Sequence, residues 1–205
     1  CKSYKRTYLI PCHGTSGFGD RARHSTIQTK RCIASCCTTS IPTLNTSAMQ
    51  FQHLIEINDP LNPLIDTLTR DQLWRGLVLR AETPKLFIPW LDECKLLSRT
   101  EDAISRTLRY GELLVHDKVN LTPLQQVHYD VPAQKDIPAS SLLITIEEPN
   151  PGALFVRFEY DTGTSDDDMD AFYNEFRRSA YQEADIDTIR IIRQLAEEGR
   201  LGLPL

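Results

Sequence analysis

Between Asp92 and Tyr160 the chain passes through six short stretches of alternating apolar and polar residues, joined by connections too short to cross a sheet. They run from Cys94 to Thr100, Ala103 to Tyr110, Leu113 to Leu121, Gln125 to Val131, Ser141 to Glu147 and Leu154 to Tyr160. Parallel neighbours need a crossover of a dozen or more residues. Gly111-Glu112 and Pro149-Asn150-Pro151-Gly152 leave room only for tight turns. The pattern therefore imposes an antiparallel meander. One long helical segment follows, opened by Asp166-Asp167-Asp168, whose charge complements a helix N-terminus, and stopped by Gly199. Its stripe of Phe172, Phe176, Ala180, Ala184, Thr188, Ile191 or Ile192, and Leu195 recurs every three to four residues. That face needs cover, and the concave side of the sheet is the only large surface available.

Upstream, Phe51, His53, Ile55 and Ile57 alternate with Gln52, Leu54 and Glu56 as a strand over Gln50 to Ile57, ended by Asn58-Asp59-Pro60. Thr69 is the expected N-cap of a helix over about Arg70 to Ala81, and Pro84 is expected to open a second short helix through Trp90. The resulting class is α+β: a seven-stranded curved antiparallel sheet around a long C-terminal helix, with two short helices after the first strand. Seven strands bent around one helix rarely fill the space between them. An apolar cavity entered between helix and sheet is expected.

The composition, 40% hydrophobic and 25% charged, permits a sizeable core. No apolar stretch approaches the roughly 20 residues that span a bilayer. Residues 1–48 carry seven Lys/Arg and one Asp, a balance of +6, so the net charge of -5 leaves -11 for residues 49–205. An acidic body repels phosphate backbones, and no basic cluster with interleaved aromatics follows Met49, which argues against nucleic acid as a partner. Five of the six cysteines also precede Met49, so disulfides are not expected to hold the body together. Cys94 reads as a small strand hydrophobe.

Residues 1–48 are rich in Ser and Thr and lack sustained periodicity, and are read as an unstructured extension to a domain over 49–205. Three origins compete: a transit peptide, a cysteine-based metal site, and residues that do not belong to the working protein. Cys32, Cys36 and Cys37 lack paired zinc-site spacing, so no metal is expected. A cytoplasmic location is expected, or a mitochondrial one if the segment is a genuine transit peptide.

No Gly-rich phosphate loop, nucleophile elbow or H-E-x-x-H follows Met49, and neither a cofactor nor a set of catalytic residues is assigned. His116 falls on the wetter face of its strand. Asp117 falls on the apolar face, as a bulge, a barrel-end position or a buried carboxylate. Glu147 and Glu148 point to opposite faces and cannot share a proton. Arg157 reads as a surface cation, opposite Val156, Phe158 and Tyr160 on the cavity side. Phe172 and Phe176 are expected to join Tyr160 as a ligand-stacking wall, with Trp74 and Trp90 closing the wide end of the pocket. Val156, Phe158, Tyr160, Phe172, Phe176, Trp74 and Asp117 are thus the candidate cavity residues.

Five segments carry a resemblance to a known family: His53-Leu54-Ile55-Glu56-Ile57-Asn58-Asp59-Pro60, Leu73-Trp74-Arg75-Gly76-Leu77, Ile146-Glu147-Glu148-Pro149, Leu154-Phe155-Val156-Arg157-Phe158 and Ala184-Asp185-Ile186-Asp187-Thr188-Ile189-Arg190. Over about residues 50 to 200 the chain resembles the SRPBCC superfamily, which includes START lipid-transfer domains and the birch-pollen allergen, and within it the AtaL-like branch. The resemblance implies a helix-grip fold and a ligand cavity. For fungal members it implies an occasional place in secondary-metabolite gene clusters such as that for acetylaranotin. It brings no catalytic motif.

The expected partner is a small hydrophobic molecule, plausible as an intermediate of secondary metabolism. An enzyme on the same scaffold, a cyclase, dehydratase or isomerase, is the alternative, and a lipid or quinone carrier a third. Two or more ionisable side chains converging in the cavity would favour the enzyme. The sequence leaves the oligomeric state open.

Overall fold

The computed structural model describes residues 48–62, 64, 66–135, 137–165 and 171–201. Seven strands, β1 (Ala48–Asn58), β2 (Glu93–Arg99), β3 (Ala103–Tyr110), β4 (Leu113–Thr122), β5 (Gln126–Val131), β6 (Ser140–Asn150) and β7 (Ala153–Ser165), form one antiparallel sheet. Its spatial order is β1-β7-β6-β5-β4-β3-β2. Two α-helices, α1 (Arg70–Glu82) and α2 (Ala171–Glu197), accompany it, with one 3-10 turn at Pro84–Leu86. This is the expected α+β, helix-grip architecture.

The second short helix is only that single turn and does not reach Trp90. Pro89 explains the shortening: it cannot donate a backbone hydrogen bond, and its ring disfavours helical geometry at Ile88. Trp90 consequently stands 42% exposed and does not close the wide end of the molecule. The Asp166-Asp167-Asp168 expectation lies outside the described residues. No helix among the described residues is long and apolar enough to cross a membrane.

Local chemistry sets each helix end that matters here. Thr69 Oγ1 accepts the Gln72 amide at 3.1 Å while Gln72 Oε1 accepts the Thr69 amide at 2.9 Å, a reciprocal cap at the start of α1. Gly199, at φ +66, ends α2: its amide donates to Ala196 O, and the Arg200 amide donates to Leu195 O. That pair of bonds is a Schellman closure. The two helices meet at Gly76, where a Cβ would lie 2.6 Å from Ile192 Cγ2, so only glycine allows this approach.

The inner face of the sheet follows the register. His53 lies opposite Phe158, Ile55 opposite Val156, and Phe51 opposite Tyr160 on the next strand. Leu142, Ile144 and Ile146 continue the layer on β6. Against it pack Leu73, Leu77 and Ala81 of α1 and Ile189, Ile192 and Leu195 of α2, all buried. The dry core therefore belongs to the C-terminal half of α2.

Candidate functional site

The N-terminal half of α2 turns a different face inward. Asn174 and Arg177 are buried and Tyr181 partly so, and Asp185 and Thr188, also buried, continue that face just past the midpoint of the helix. This is the direction in which the expected stripe departs from the structure. Phe176 is 57% exposed, so it does not line the interior. The reason is helical geometry: each four-residue step overshoots a full turn by about 40°. Four such steps back from Thr188 to Phe172 rotate the stripe through about 160°. Mixed steps of three and four, through Asp185, Tyr181, Arg177 and Asn174, stay on the buried side. The side chain of Phe172 lies outside the described residues.

Asp185 is the centre of what the helix presents. Its residue is fully buried, and Oδ2 accepts a hydrogen bond from the Tyr160 hydroxyl at 2.6 Å. His53 Nε2 lies 3.2 Å from the same oxygen, with side-chain exposures of 8% for His53 and 1% for Asp185. Three elements are needed to build this contact: β1 supplies the imidazole, β7 the phenol and α2 the carboxylate. Asp185 Oδ1, both ring nitrogens of His53 and the Tyr129 hydroxyl are buried without a hydrogen-bond partner. Buried polar atoms left unpaired are costly and uncommon, and their concentration in one place marks a site rather than a core.

Rings surround the carboxylate. The Tyr160 ring is stacked between elements, 4.6 Å from Tyr181 at an interplanar angle of 8° and 6.1 Å from Phe51. His53 lies 5.2 Å from Phe158 at 7° and 5.2 Å from Phe51. Arg80 of α1 approaches from the other side, its guanidinium carbon 5.1 Å from the centroid of the Tyr129 ring and its Nε buried without a hydrogen bond. Burial alone would lower the Arg80 guanidinium, but the nearby Tyr129, Asp185 and Tyr160 hold it above its ordinary value. Burial, with the Asp185 charge behind it, pushes the Tyr160 hydroxyl well above the ordinary tyrosine value, against the opposing pull of Arg80.

Arg106 and Asp117 complete the polar interior as a closed pair. They lie directly opposite in an unbroken β3–β4 register, so Asp117 is not a bulge. Arg106 Nε meets Oδ1 at 2.8 Å and Nη2 meets Oδ2 at 2.7 Å, while Nη1 donates to Ala81 O at 2.5 Å. Burial would lower the Arg106 guanidinium, and Asp117 outweighs it, leaving the group above its usual value. Both members are at most 7% exposed, and the two-pronged contact is the strong form of such a pair.

The remaining sequence candidates fall as follows. Val156 and Phe158 are fully buried on the inner face, and Trp74 is partly buried against the same apolar cluster. One concavity of about 140 Å³ lies between the start of α1 and the end of α2, beside Gln72 and Arg193. Another of about 410 Å³ lies beside Gln52, His128 and Glu159 and also touches Phe51 and Tyr160 of the candidate site. His116 is exposed and bonded to Thr107, and Arg157 pairs with Glu147 on the outer face, both as expected. His53, Asp185, Arg80, Tyr129 and Tyr181 were not among the sequence candidates. A strict helical projection of residues 174–188 would have exposed the polar stripe of α2.

A curved antiparallel sheet gripping one long helix over a buried polar cluster defines a helix-grip protein. The chain belongs to the AtaL family, described as acetylaranotin biosynthesis cluster protein L, whose family model matches residues 55–199. No curated protein matches the sequence. Among solved structures the chain is similar to the di-domain ARO/CYC StfQ from the steffimycin biosynthetic pathway, at 11% identity and a TM-score of 0.54, covering 75% of this chain and 52% of that one. It thus spans about half the length of that di-domain protein. The aromatase/cyclase Zhui from Streptomyces sp. R1128 aligns at 13% identity and a TM-score of 0.48, covering 74% and 94%. Ara h 8.0201 aligns at 13% and 0.47, covering 72% and 99%. Likeness at such identities speaks of fold alone.

Proposed function

We propose that this protein takes up a small, mainly apolar molecule between α2 and the sheet, and that the polar end of the molecule meets Asp185, Tyr160 and His53. The observation that carries this reading is the buried cluster itself. Ionisable side chains from separate elements converge there among aromatic rings, with polar atoms left unpaired. An apolar body finds Phe51, Phe158 and the tyrosine rings, while an oxygen function finds Arg80 and the Tyr129 hydroxyl. Membership of a family described by a biosynthesis cluster supports an intermediate of secondary metabolism as the occupant. The second reading, an enzyme acting on that molecule, gains from the same convergence, because acid–base work needs groups in mutual hydrogen-bond reach.

Entry requires that the Tyr181 ring leave its stack on Tyr160. Tyr181→Ala should therefore open a volume beside Asp185 and increase uptake of the fluorescent probe ANS at least several-fold, with a cooperative thermal transition and near-ultraviolet dichroism retained. Unchanged uptake by a well-folded Tyr181→Ala protein would place the apolar site elsewhere and reject the reading. Native mass spectrometry of protein purified from its own source, repeated after denaturation, identifies the occupant.

A further inference from the structure

Resting on that uptake, we propose that the cluster moves a proton on the bound molecule: Asp185 removes one from a carbon beside a ligand carbonyl, and Tyr160 supplies one to the carbonyl oxygen. The substrate class is a flat, apolar ketone with an enolisable C–H. Three features of the geometry converge on this chemistry.

The carboxylate is divided in function. Oδ2 is engaged by Tyr160 at 2.6 Å and approached by His53 at 3.2 Å, whereas Oδ1 is buried with no partner. A buried carboxylate oxygen held in place and left without a donor is a base positioned for a ligand proton. Tyr160 is the complementary acid: its hydroxyl, which donates to Oδ2 at rest, turns to the ligand oxygen as negative charge passes from the carboxylate to that oxygen. Arg80, half-buried, places a positive charge near both groups, where it stabilises negative charge appearing on the ligand oxygen. The stacked faces of Phe51, Tyr160 and Tyr181 suit a planar ring better than a flexible chain.

The step closes on itself. The C–H bond breaks and its proton passes to Asp185 Oδ1, while its electron pair becomes the C=C bond. The carbonyl π pair takes the Tyr160 proton and forms O–H. Asp185 then releases its proton to water and the Tyr160 oxygen takes one from water, so both groups return to their starting state. The ligand has passed from ketone to enol with no oxidant, reductant or second reactant. His53 is a positioning residue, stacked against Phe158 with its Nε2 3.2 Å from the engaged oxygen, where its ring packs beside the carboxylate.

The probe is β-tetralone, a flat apolar ketone with exchangeable α-hydrogens, incubated in D2O with the full chain. Proton NMR follows α-deuteration, and saturation transfer on the same samples reports binding. Wild-type protein should raise the exchange rate at least about 100-fold over buffer, in the range ordinary for a positioned acid or base. Asp185→Asn and Tyr160→Phe should each lose most of that gain while still binding the ketone. His53→Gln should lower kcat with KM unchanged, a split that a merely structural role would not produce. Binding without exchange above buffer, or exchange that survives both substitutions, overturns the proton transfer and leaves uptake standing. Absence of binding rejects uptake and the proton transfer with it. If neither Asp185→Asn nor Tyr160→Phe folds, the wild-type rate over buffer and the His53→Gln split decide the matter.

Discussion

Tyr160 joins stability to the candidate chemistry through one hydrogen atom. Its hydroxyl donates to a buried carboxylate, so ionising it would set two negative charges 2.6 Å apart in a desolvated place. The phenol's value is therefore raised in the folded protein, with burial the largest cause and Asp185 next. The folded state holds this proton more tightly than the unfolded chain, whose tyrosines titrate near about pH 10. The stability contributed is fully present below that pH and is lost as pH rises toward the folded value. Tyr160→Phe removes the titrating group together with its hydrogen bond. The wild-type advantage in urea midpoint should thus be steady from pH 7 to about 9.5 and shrink above pH 10, by up to about 1.4 kcal/mol per pH unit. A gap that stays constant to pH 11.5 would mean that Tyr160 is freely solvated. Arg106 and Asp117 show the contrasting case of a buried pair in which one guanidinium holds both carboxylate oxygens.

At the scale of elements, α2 is two half-helices with different duties. Its C-terminal half is dry: Ile189, Ile192 and Leu195 meet Gly76 and the inner face of the sheet. Ile192→Ala and Leu195→Ala should each cost about 2 to 5 kcal/mol in urea unfolding, as buried aliphatic truncations do. Phe176→Ala should fall within about 0.5 kcal/mol of wild type, because an exposed ring has little burial to lose. Comparable losses in all three variants would contradict the rotation of the stripe. The strands and the C-terminal half of α2 were legible in the sequence because periodicity alone specifies them. Thr188, Ile192 and Leu195 were read on the correct face. Phe176 was not, because apolar identity at four-residue spacing was followed where helical rotation had already turned it outward. The site was less legible still. His53, Tyr160 and Asp185 are 107 and 25 residues from one another along the chain, and only the β1–β7 pairing and the docking of α2 unite them. Asp185 on an otherwise amphipathic helix carries no local mark of burial.

Across the whole molecule, the sheet is continuous from β1 to β2, but the material covering it is not uniform. Toward the C-terminal end of α2, two helices and the sheet share one apolar cluster that includes Leu73, Leu77, Ile192 and Leu195. Toward the N-terminal half, the same sheet faces Tyr181, Arg177 and Asp185, and the contacts are aromatic stacks and charge-assisted bonds around unpaired atoms. Burial of apolar area resists local opening, whereas a polar interior with unsatisfied groups offsets little of the entropy gained when a helix end opens. The protein should therefore open by lifting the N-terminal half of α2 from the sheet while the C-terminal half stays docked, and that opening gives a ligand its route to Asp185. Native-state hydrogen exchange read by mass spectrometry tests this directly. Amides of residues 174–184 should exchange at least about tenfold faster than those of 188–195, and saturating β-tetralone should slow the first group selectively. Uniform protection along α2, or a gradient that the ketone does not change, would show that the helix is one rigid cover and that ligands do not enter beneath its N-terminal half.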